Sequence, residues 1–305
     1  MLPCSIAVLP SARCYSTVQV EQFSSGCKRN YYGKGDVIVY RLERESEPPP
    51  GLRPLFAASV KMLLYGDAFW PTYTCGDNTG LVATDSMKNF IQQETLNFTG
   101  TDLESYGSYL AEKFLATYPQ TEGAQVTADE IPYAGLDGGV GFVPSGPERA
   151  MARVEMRQSA GKREFVELRS GIRGFKLVRL GGSAFKGFIR DQYTTLSETA
   201  NRPLHMWLDL EWLYTSPAAG FTKGQVTARV RRMVHEVFQS FESGSIQQVI
   251  YQLGTRMLEE IPCISSADLE ANNRTWETVV EEGGQRGVFT DPRPPYGCLG
   301  LSLKR

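Results

Sequence analysis

The chain has 305 residues, of which 41% are hydrophobic and 11% aromatic, enough to bury the cores of two domains. Its 32 Lys and Arg residues nearly balance 34 Asp and Glu residues and are spread along the chain, which argues against binding to a nucleic-acid backbone. No stretch approaches the roughly 20 consecutive apolar residues needed to span a bilayer.

Cysteine and histidine usage argues against a transition-metal site. The 6 cysteines include no C-x-x-C pair, and neither His205 nor His235 has a second histidine or cysteine at ligand spacing. Scattered cysteines of this kind are typical of reduced thiols in an intracellular protein. We therefore expect no metal, and we predict an intracellular, cytoplasmic location.

The two ends of the chain carry weak targeting information. Residues 1–29 contain serines and few acids, so we predict a disordered extension, with an organelle transit peptide as the alternative. The chain ends in Leu303-Lys304-Arg305, which differs from the peroxisomal signal Ser-Lys-Leu. We therefore expect no peroxisomal import by that signal.

The first half of the chain, residues 30–160, reads as two strands, two helices and two strands. The first helix is predicted to begin at Thr84, with its hydroxyl as the N-cap, and the second near Thr101, which forms a capping box with Glu104. Alternating polar and apolar residues indicate the strands. The predicted strands cover 36–42, 55–66, 124–133 and 150–157.

The second half, residues 161–305, repeats this plan. One helix is predicted from about Thr222, and another from 243–245 to just before Pro262. Two successive β-β-α-α-β-β units predict an α+β fold of two tandem modules, with antiparallel sheets and helices on one face. Several such sheets would bury their edges by closing into a multisubunit barrel. The predicted strands cover 163–168, 174–180, 204–214, 275–280 and 297–303.

Four phrases resemble the urate oxidases (uricases), in the order of that family, from about Asn30 to the end of the chain. The phrases are Tyr32-Gly33-Lys34, YTCGDNTGLVATDSMKN at 73–89, FKGFIRDQYTTL at 185–196 with its continuation to Arg202, and SIQ at 245–247. The resemblance implies the tunnel fold (T-fold), with two tandem modules per chain. It also implies a homotetramer with its sites at subunit interfaces.

The resemblance implies substrate-binding roles for Phe185, Arg202, Ile246 and Gln247. In uricases a planar purine lies against a phenylalanine ring, and an arginine and a glutamine bind its edge; Ile246 would add a backbone contact. A guanidinium suits a planar anionic or lactam edge, and an amide both donates and accepts hydrogen bonds. Without the resemblance, Phe185 would be a core residue and Arg202 would form an ion pair with Glu198.

Lys34, Thr84 and Asp85 resemble the opposite wall of the site, which a neighbouring subunit contributes in this family. Uricases use the lysine and threonine, with a histidine, to move protons while O2 reacts directly with the substrate dianion, so the resemblance implies no cofactor. Lys34 suits this role because a buried ammonium readily shifts its pKa. A solvated lysine on an edge strand and a simple helix cap at Thr84 are the alternatives.

The family phrase L-P-N-x-H is altered in this chain. In the corresponding stretch, 269–276, Asn272 matches the asparagine near the oxygen site. The histidine position falls on Arg274, or on Asn273 if the register slips by one. An arginine keeps its proton at working pH and cannot exchange it as an imidazole does. We call Phe185, Arg202 and Gln247 the clamp. The clamp is expected to be kept and the proton relay to be altered, because neither histidine of the chain can substitute by sequence position.

The resemblance implies a cofactor-independent oxidase or oxygenase. It would act with O2 on urate, giving 5-hydroxyisourate and H2O2, or on a related planar N-heterocyclic lactam. The missing histidine leaves open a second hypothesis, a catalytically silent purine-binding or scaffold protein of the same fold. The expected partners are the small planar heterocycle and O2, without nucleic acid or membrane. A pterin hydrolase or epimerase of the wider tunnel-fold group ranks last, because no metal set matches it.

Overall fold

The computed structural model describes residues 30–42, 55–137, 141–283, 286–291 and 294–305. The predicted extension, residues 1–29, lies outside these ranges. The strands are β1 (Tyr32–Leu42), β2 (Leu55–Tyr65), β3 (Gly123–Glu130), β4 (Tyr133–Gly135), β5 (Phe142–Pro144), β6 (Arg149–Ser159), β7 (Lys162–Arg179), β8 (Leu204–Tyr214), β9 (Ile264–Arg274), β10 (Glu277–Glu282), β11 (Arg286–Thr290) and β12 (Gly297–Lys304). The α-helices are α1 (Trp70–Cys75), α2 (Thr84–Asn97), α3 (Leu103–Thr117), α4 (Pro217–Gly220), α5 (Gln225–Ser240) and α6 (Ile246–Glu260).

Eight strands form one antiparallel sheet in the order β1-β2-β3-β6-β7-β8-β9-β12. Each half of the sheet has four strands, with two long helices between its second and third strands. The predicted α+β fold of two tandem antiparallel modules is therefore confirmed. The pairing of β6 with β7 makes the sheet continuous across residue 160, so a division into domains at that residue stays a prediction.

Strand alternation divides the sheet into two faces. Along β8, Leu204, Met206 and Leu208 are buried under the helices, whereas His205 and Trp207 are only partly buried on the opposite side. We call these the covered face and the open face. Burying each large apolar side chain of the covered face stabilises the fold by about 1.5–3 kcal/mol. The helix side of this core includes Val226, Val230, Met233, Val234 and Val237 of α5, as its helical spacing predicts.

The two helix starts of the first half differ from their predicted caps. Thr84 is the first residue of α2, but the N-cap position is Ala83 and no side chain caps it. In α3 the cap is Asp102, whose carboxylate accepts a hydrogen bond from the Ser105 amide at 2.8 Å. The predicted capping box at Thr101 is therefore wrong, because Asp102 is an equally suitable cap one residue later and Glu104 is drawn into the core.

Three predicted strand assignments also differ from the structure. Segments 163–168 and 174–180 form one long strand, β7, with an irregularity between Ile172 and Phe175. The predicted closing strand at 275–280 belongs instead to a separate hairpin of β10 and β11. In addition, residues 264–274, which include most of the altered family phrase, form a strand of the main sheet, β9, that is not among the predicted strands.

The prediction of six reduced cysteines is wrong at Cys75, which is disulfide-bonded. Cys263 and Cys298 are free thiols. Disulfides are uncommon in cytosolic proteins, so the bond does not favour the cytoplasmic location, which stays a prediction. In the described ranges, no helix has the length and apolar character to cross a membrane.

Candidate active site

The loop between β7 and β8 brings two of the predicted substrate-binding residues together. The Phe185 amide donates to the Thr199 carbonyl at 2.9 Å, and the Thr199 amide donates back to Phe185 at 3.0 Å. The Arg202 amide donates to the Ser183 carbonyl at 2.8 Å. These bonds close the loop on itself, and the Arg202 guanidinium carbon lies 5.4 Å from the centre of the Phe185 ring.

A short backbone bridge holds this loop against the residues that lead into α6. The Ala184 amide donates to the Ser243 carbonyl at 2.7 Å, and the Ser243 amide donates to the Gly182 carbonyl at 2.9 Å. Phe185 directly follows Ala184, and Gln247 lies four residues after Ser243. The bridge therefore brings the predicted ring platform and the predicted glutamine to one place.

Of the two adjacent exposed glutamines at the start of α6, only Gln248 takes part in capping the helix. Ser245 is the N-cap and accepts a hydrogen bond from the Gln248 amide, while the Gln248 side chain accepts one from the Gly244 amide at 2.8 Å. Gln248 thus completes a capping arrangement. Gln247 is exposed and Ile246 is buried. The first turn of a helix also offers unpaired N–H groups and a positive dipole end, which favour an anionic ligand.

Arg202 is a partly buried cation without a carboxylate partner in the ranges that the structure describes. The alternative role, an ion pair with Glu198, is not observed there; the Glu198 carboxylate accepts a hydrogen bond from the Gly187 amide at 3.0 Å. Burial lowers the pKa of the Arg202 guanidinium, and its Nε atom has no hydrogen-bond partner among the described residues. A cation in this state gains from binding an anionic or carbonyl-bearing ligand.

The Phe185 ring already takes part in a parallel stack. Its centre lies 5.0 Å from that of Phe188, with 17° between the ring planes. The Phe185 side chain is half-buried, so part of its surface remains accessible. A planar heterocycle would extend or replace this stack, in a geometry that aromatic rings favour.

Asn272 and Arg274 lie on the open face. In the pairing of β8 with β9, Asn272 is opposite Trp207 and Arg274 is opposite His205. Directly opposite residues project to the same side of a sheet, and the two β8 residues are on the open face. The Arg274 guanidinium lies between two rings, 4.1 Å from the centre of Trp207 and 4.0 Å from that of Tyr296.

Asn273 instead projects to the covered face, because it is paired with the buried Met206. Helix α6 packs on β9 and precedes it directly, so the two elements run in opposite directions. Its 15 residues span about 22 Å, which places Gln247 near the end of β9 that carries Asn273. Within one chain, the structure therefore does not place Asn272 or Arg274 beside the clamp.

His205 is the histidine nearest to the altered phrase, although sequence position alone does not indicate it. It lies across from Arg274 in the neighbouring strand and accepts a hydrogen bond from the Trp207 indole at 3.3 Å. Burial, followed by the charges of Lys176 and Arg274, lowers the pKa of His205. Its side chain projects to the open face.

Lys34 and Thr84 come together at the β1 edge of the sheet. Lys34 is paired with Met62, so its side chain is on the covered face, like that of Tyr32 two residues earlier. The Tyr32 hydroxyl accepts a hydrogen bond from the Val82 amide at 3.0 Å, which ties the start of α2 to β1. Thr84 is exposed at that start.

Asp85 is exposed in the same first turn. Its carboxylate accepts hydrogen bonds from Lys88 at 2.5 Å and from Asn89 at 3.1 Å. The bond and charge of Lys88 lower the pKa of Asp85, and the charge of Lys34 adds to the effect. The three residues predicted for the opposite wall therefore form one group.

The group of Lys34, Thr84 and Asp85 is far from the clamp within one chain. β8 is the sixth strand from the β1 edge, so at about 4.8 Å per strand the separation is about 24 Å. No side chain spans this distance. The two predicted walls can meet only when the edge of one chain approaches the clamp of another.

Neither of two cavities in the described ranges is lined by Phe185, Arg202 or Gln247. A cavity of about 330 Å³ beside the bridge is lined by residues that include Gly182, Asn201 and Glu242. A larger cavity of about 730 Å³, lined in part by Tyr65 and Thr121, contains none of the predicted site residues. Across the described ranges, no group of three His, Cys, Asp or Glu residues is arranged to hold a metal ion.

The fold and this site define a tunnel-fold protein, and comparison with known proteins agrees. The family model described as uricase matches residues 168–299, which contain the clamp and β9. A crystal structure of a uricase from Bacillus fastidious superposes with a TM-score of 0.79 at 36% identity, covering 90% of this chain and 93% of that one.

Two relatives are similar over most of this chain. The uricase of Haloferax volcanii is 35% identical over 302 residues, covering 90% of this chain and 97% of the relative. The uric acid degradation bifunctional protein PucL of Bacillus subtilis is 36% identical over 301 residues, covering 90% of this chain but 60% of that longer protein. The chain belongs to the uricase family.

Proposed function

We propose that this protein oxidises urate with O2 and water, giving 5-hydroxyisourate and H2O2. Urate gives up two electrons and two protons to O2, which leaves as H2O2, and water supplies the new hydroxyl group. The observation that carries the proposal is the pair of Phe185 and Arg202 held at the start of α6. The naming of its relatives as uricases supports the same substrate.

The clamp suits urate for three physical reasons. A planar ring system gains stacking energy on Phe185, about 1 kcal/mol beyond its buried area. The Arg202 guanidinium, whose Nε atom has no hydrogen-bond partner among the described residues, can bind two edge oxygens or a deprotonated edge. The Gln247 amide can donate and accept at a lactam edge, and the amide of Ile246 lies in the first turn of α6.

We infer that the complete site forms between subunits of a homotetramer. Lys34, Thr84 and Asp85 of one chain would face the clamp of another, because within one chain about 24 Å separates β1 from β8. Lys34 and Thr84 would pass protons, and Asp85 would fix the charge of the wall. The modules 30–160 and 161–305 would then contribute opposite walls.

For the oxygen side of the site we propose Asn273 in place of Asn272. Its pairing with Met206 puts it on the covered face with the clamp. Arg274, predicted to replace the relay histidine, is assigned a structural role between Trp207 and Tyr296. In this proposal the electrons come from urate itself, so the reaction needs no metal or flavin.

The proposal is tested with purified protein and urate. We expect loss of urate absorbance with O2 uptake and H2O2 release in equal amounts, and no turnover without O2. The matched variants are Arg202→Met and Arg256→Met, the latter removing a partly exposed arginine of α6 that pairs with Glu236 and Glu260. Urate binding without O2 uptake would contradict the proposal and favour the catalytically silent protein.

A further inference from the structure

We propose that Arg179 is a positioning residue that fastens the loop carrying Phe185 and Arg202 to the start of α6. Arg179 is the last residue of β7 and lies outside the four phrases that resemble uricases. Its effect on catalysis rests on the proposed function. Its effect on the geometry of the loop does not.

The Arg179 guanidinium donates four hydrogen bonds to three separate segments. Nη1 donates to the carbonyls of Phe238 at 2.9 Å and Phe241 at 2.8 Å, at the end of α5. Nη2 donates to the Gly182 carbonyl at 2.8 Å and the Ser243 hydroxyl at 2.5 Å. One side chain therefore joins the end of α5, the clamp loop and the approach to α6.

The chemistry of the end of α5 explains why a cation is needed there. The last carbonyls of a helix lack intrahelical partners and carry the negative end of the helix dipole. The last turn of α5 has no basic residue of its own. Arg179 supplies the charge and the donors from a neighbouring strand, and its guanidinium also lies 5.5 Å from the centre of the Phe238 ring.

Arg179 acts on the clamp through the backbone rather than by touching a ligand. Gly182 and Ser243, which both bind its Nη2 atom, are also bonded to each other through their backbones at 2.9 Å. Phe185 lies three residues after Gly182, and Gln247 four residues after Ser243. Losing the guanidinium would thus loosen the ring platform and the glutamine with respect to each other.

A loosened clamp would mainly weaken the binding of urate. Contacts that hold substrate and transition state equally affect KM, whereas contacts made only in the transition state affect kcat. A displacement of the order of 1 Å in a binding group can cost up to about 100-fold. For Arg179→Met we expect KM for urate to rise about tenfold, with kcat within about threefold of the parent.

The matched variants are Arg179→Lys and Arg231→Met. Lysine keeps the charge and can reach part of the carbonyl set, so we expect it to recover most of the loss in KM. Arg231 lies on α5 and pairs with Glu148 away from the clamp, so Arg231→Met should leave KM within about twofold. If Arg179→Met does not fold, Arg179→Gln takes its place in the same comparison.

Hydrogen exchange gives a readout that does not depend on turnover. In Arg179→Met we expect faster amide exchange over 182–202 and 241–247, with exchange elsewhere unchanged, and no such change in Arg231→Met. Unchanged exchange in both segments would overturn the proposal, as would an unchanged KM in an active enzyme. If the parent protein does not oxidise urate, the proposed function fails, and the exchange comparison alone then supports or overturns the fastening role of Arg179.

Discussion

The start of α2, the first long helix of the first half, and the start of α6, the second long helix of the second half, differ in how they are held. At α6, a side-chain cap and a backbone bridge position an arginine that has no carboxylate partner among the described residues. At α2, no side chain caps the helix, and the charged residues pair within its exposed first turn.

This difference shows how one module can serve two chemical purposes. The second half holds a cation and an amide ready for a ligand, at the cost of a partly buried charge. The first half supplies an exposed hydroxyl and a lysine at a sheet edge. In the proposed site, each half supplies one wall, so the proposal requires copies of the chain to combine.

The largest expected effect is that of removing the clamp cation. For Arg202→Met we expect kcat/KM for urate to fall about 100-fold or more, because a charged hydrogen-bonding partner of the substrate is lost in a partly desolvated site. Steady-state O2 uptake measures it. A loss of less than about threefold with native thermal stability would show that the clamp does not bind urate.

A smaller effect than that of Arg202→Met is expected at β9, where the two adjacent asparagines project to opposite faces and should differ in their effect on kcat. Asn273→Ala should lower kcat about tenfold or more, since its side chain is on the covered face with the clamp, whereas Asn272→Ala should change it by less than about twofold. Both are measured with urate at saturating O2. The reverse order would place the oxygen side on the open face.

Arg274→His should change urate turnover by less than about twofold, because the side chain lies between Trp207 and Tyr296 on the open face. The pH profile of kcat should keep its shape. A clear rise in turnover, with a new ionisation near neutral pH, would instead restore Arg274 as the altered relay position.

An effect on stability rather than on turnover is expected at the contact between the halves. The buried Glu104 of α3 accepts a hydrogen bond from Ser170 of β7 at 2.5 Å, and burial raises the pKa of its carboxyl. A raised pKa means that its contribution to stability is present at low pH and is lost as the pH rises through the folded-state pKa.

Glu104→Gln should therefore stabilise the protein at pH 8 by about 1 kcal/mol relative to the parent, with a smaller difference at pH 5. Thermal unfolding at the two pH values measures this. Glu112→Gln, at an exposed position of the same helix, is the control and should show no such dependence. A Glu104→Gln variant that is less stable than the parent at pH 8 would contradict the assignment.

Much of the fold follows from the sequence, because its periodic patterns are strong. The strand predicted over 204–214 is β8, and the last long helix falls within its predicted limits. Strand β9 is harder to predict from the sequence, because its apolar residues include two small alanines, Ala267 and Ala271, among polar ones.

Some of the site residues could likewise be predicted from the sequence, and others could not. Phe185, Arg202 and Gln247 could be named because the sequence phrases that carry them are intact. The face of Asn272 and Arg274 depends on strand register, which only the pairing with β8 reveals. Arg179 could not be found from sequence, since its partners come from segments up to 64 residues away.

The central claim, that each site is built from two chains, is tested most directly by complementation. Lys34→Met and Arg202→Met are each expected to be nearly inactive alone. When they are co-expressed in equal amounts, random mixing gives about a quarter of the sites an intact lysine from one chain and an intact arginine from the other. We predict that the mixed assemblies recover about that fraction of the parent activity. Mixed assemblies that form normally but are as inactive as either variant would contradict the account.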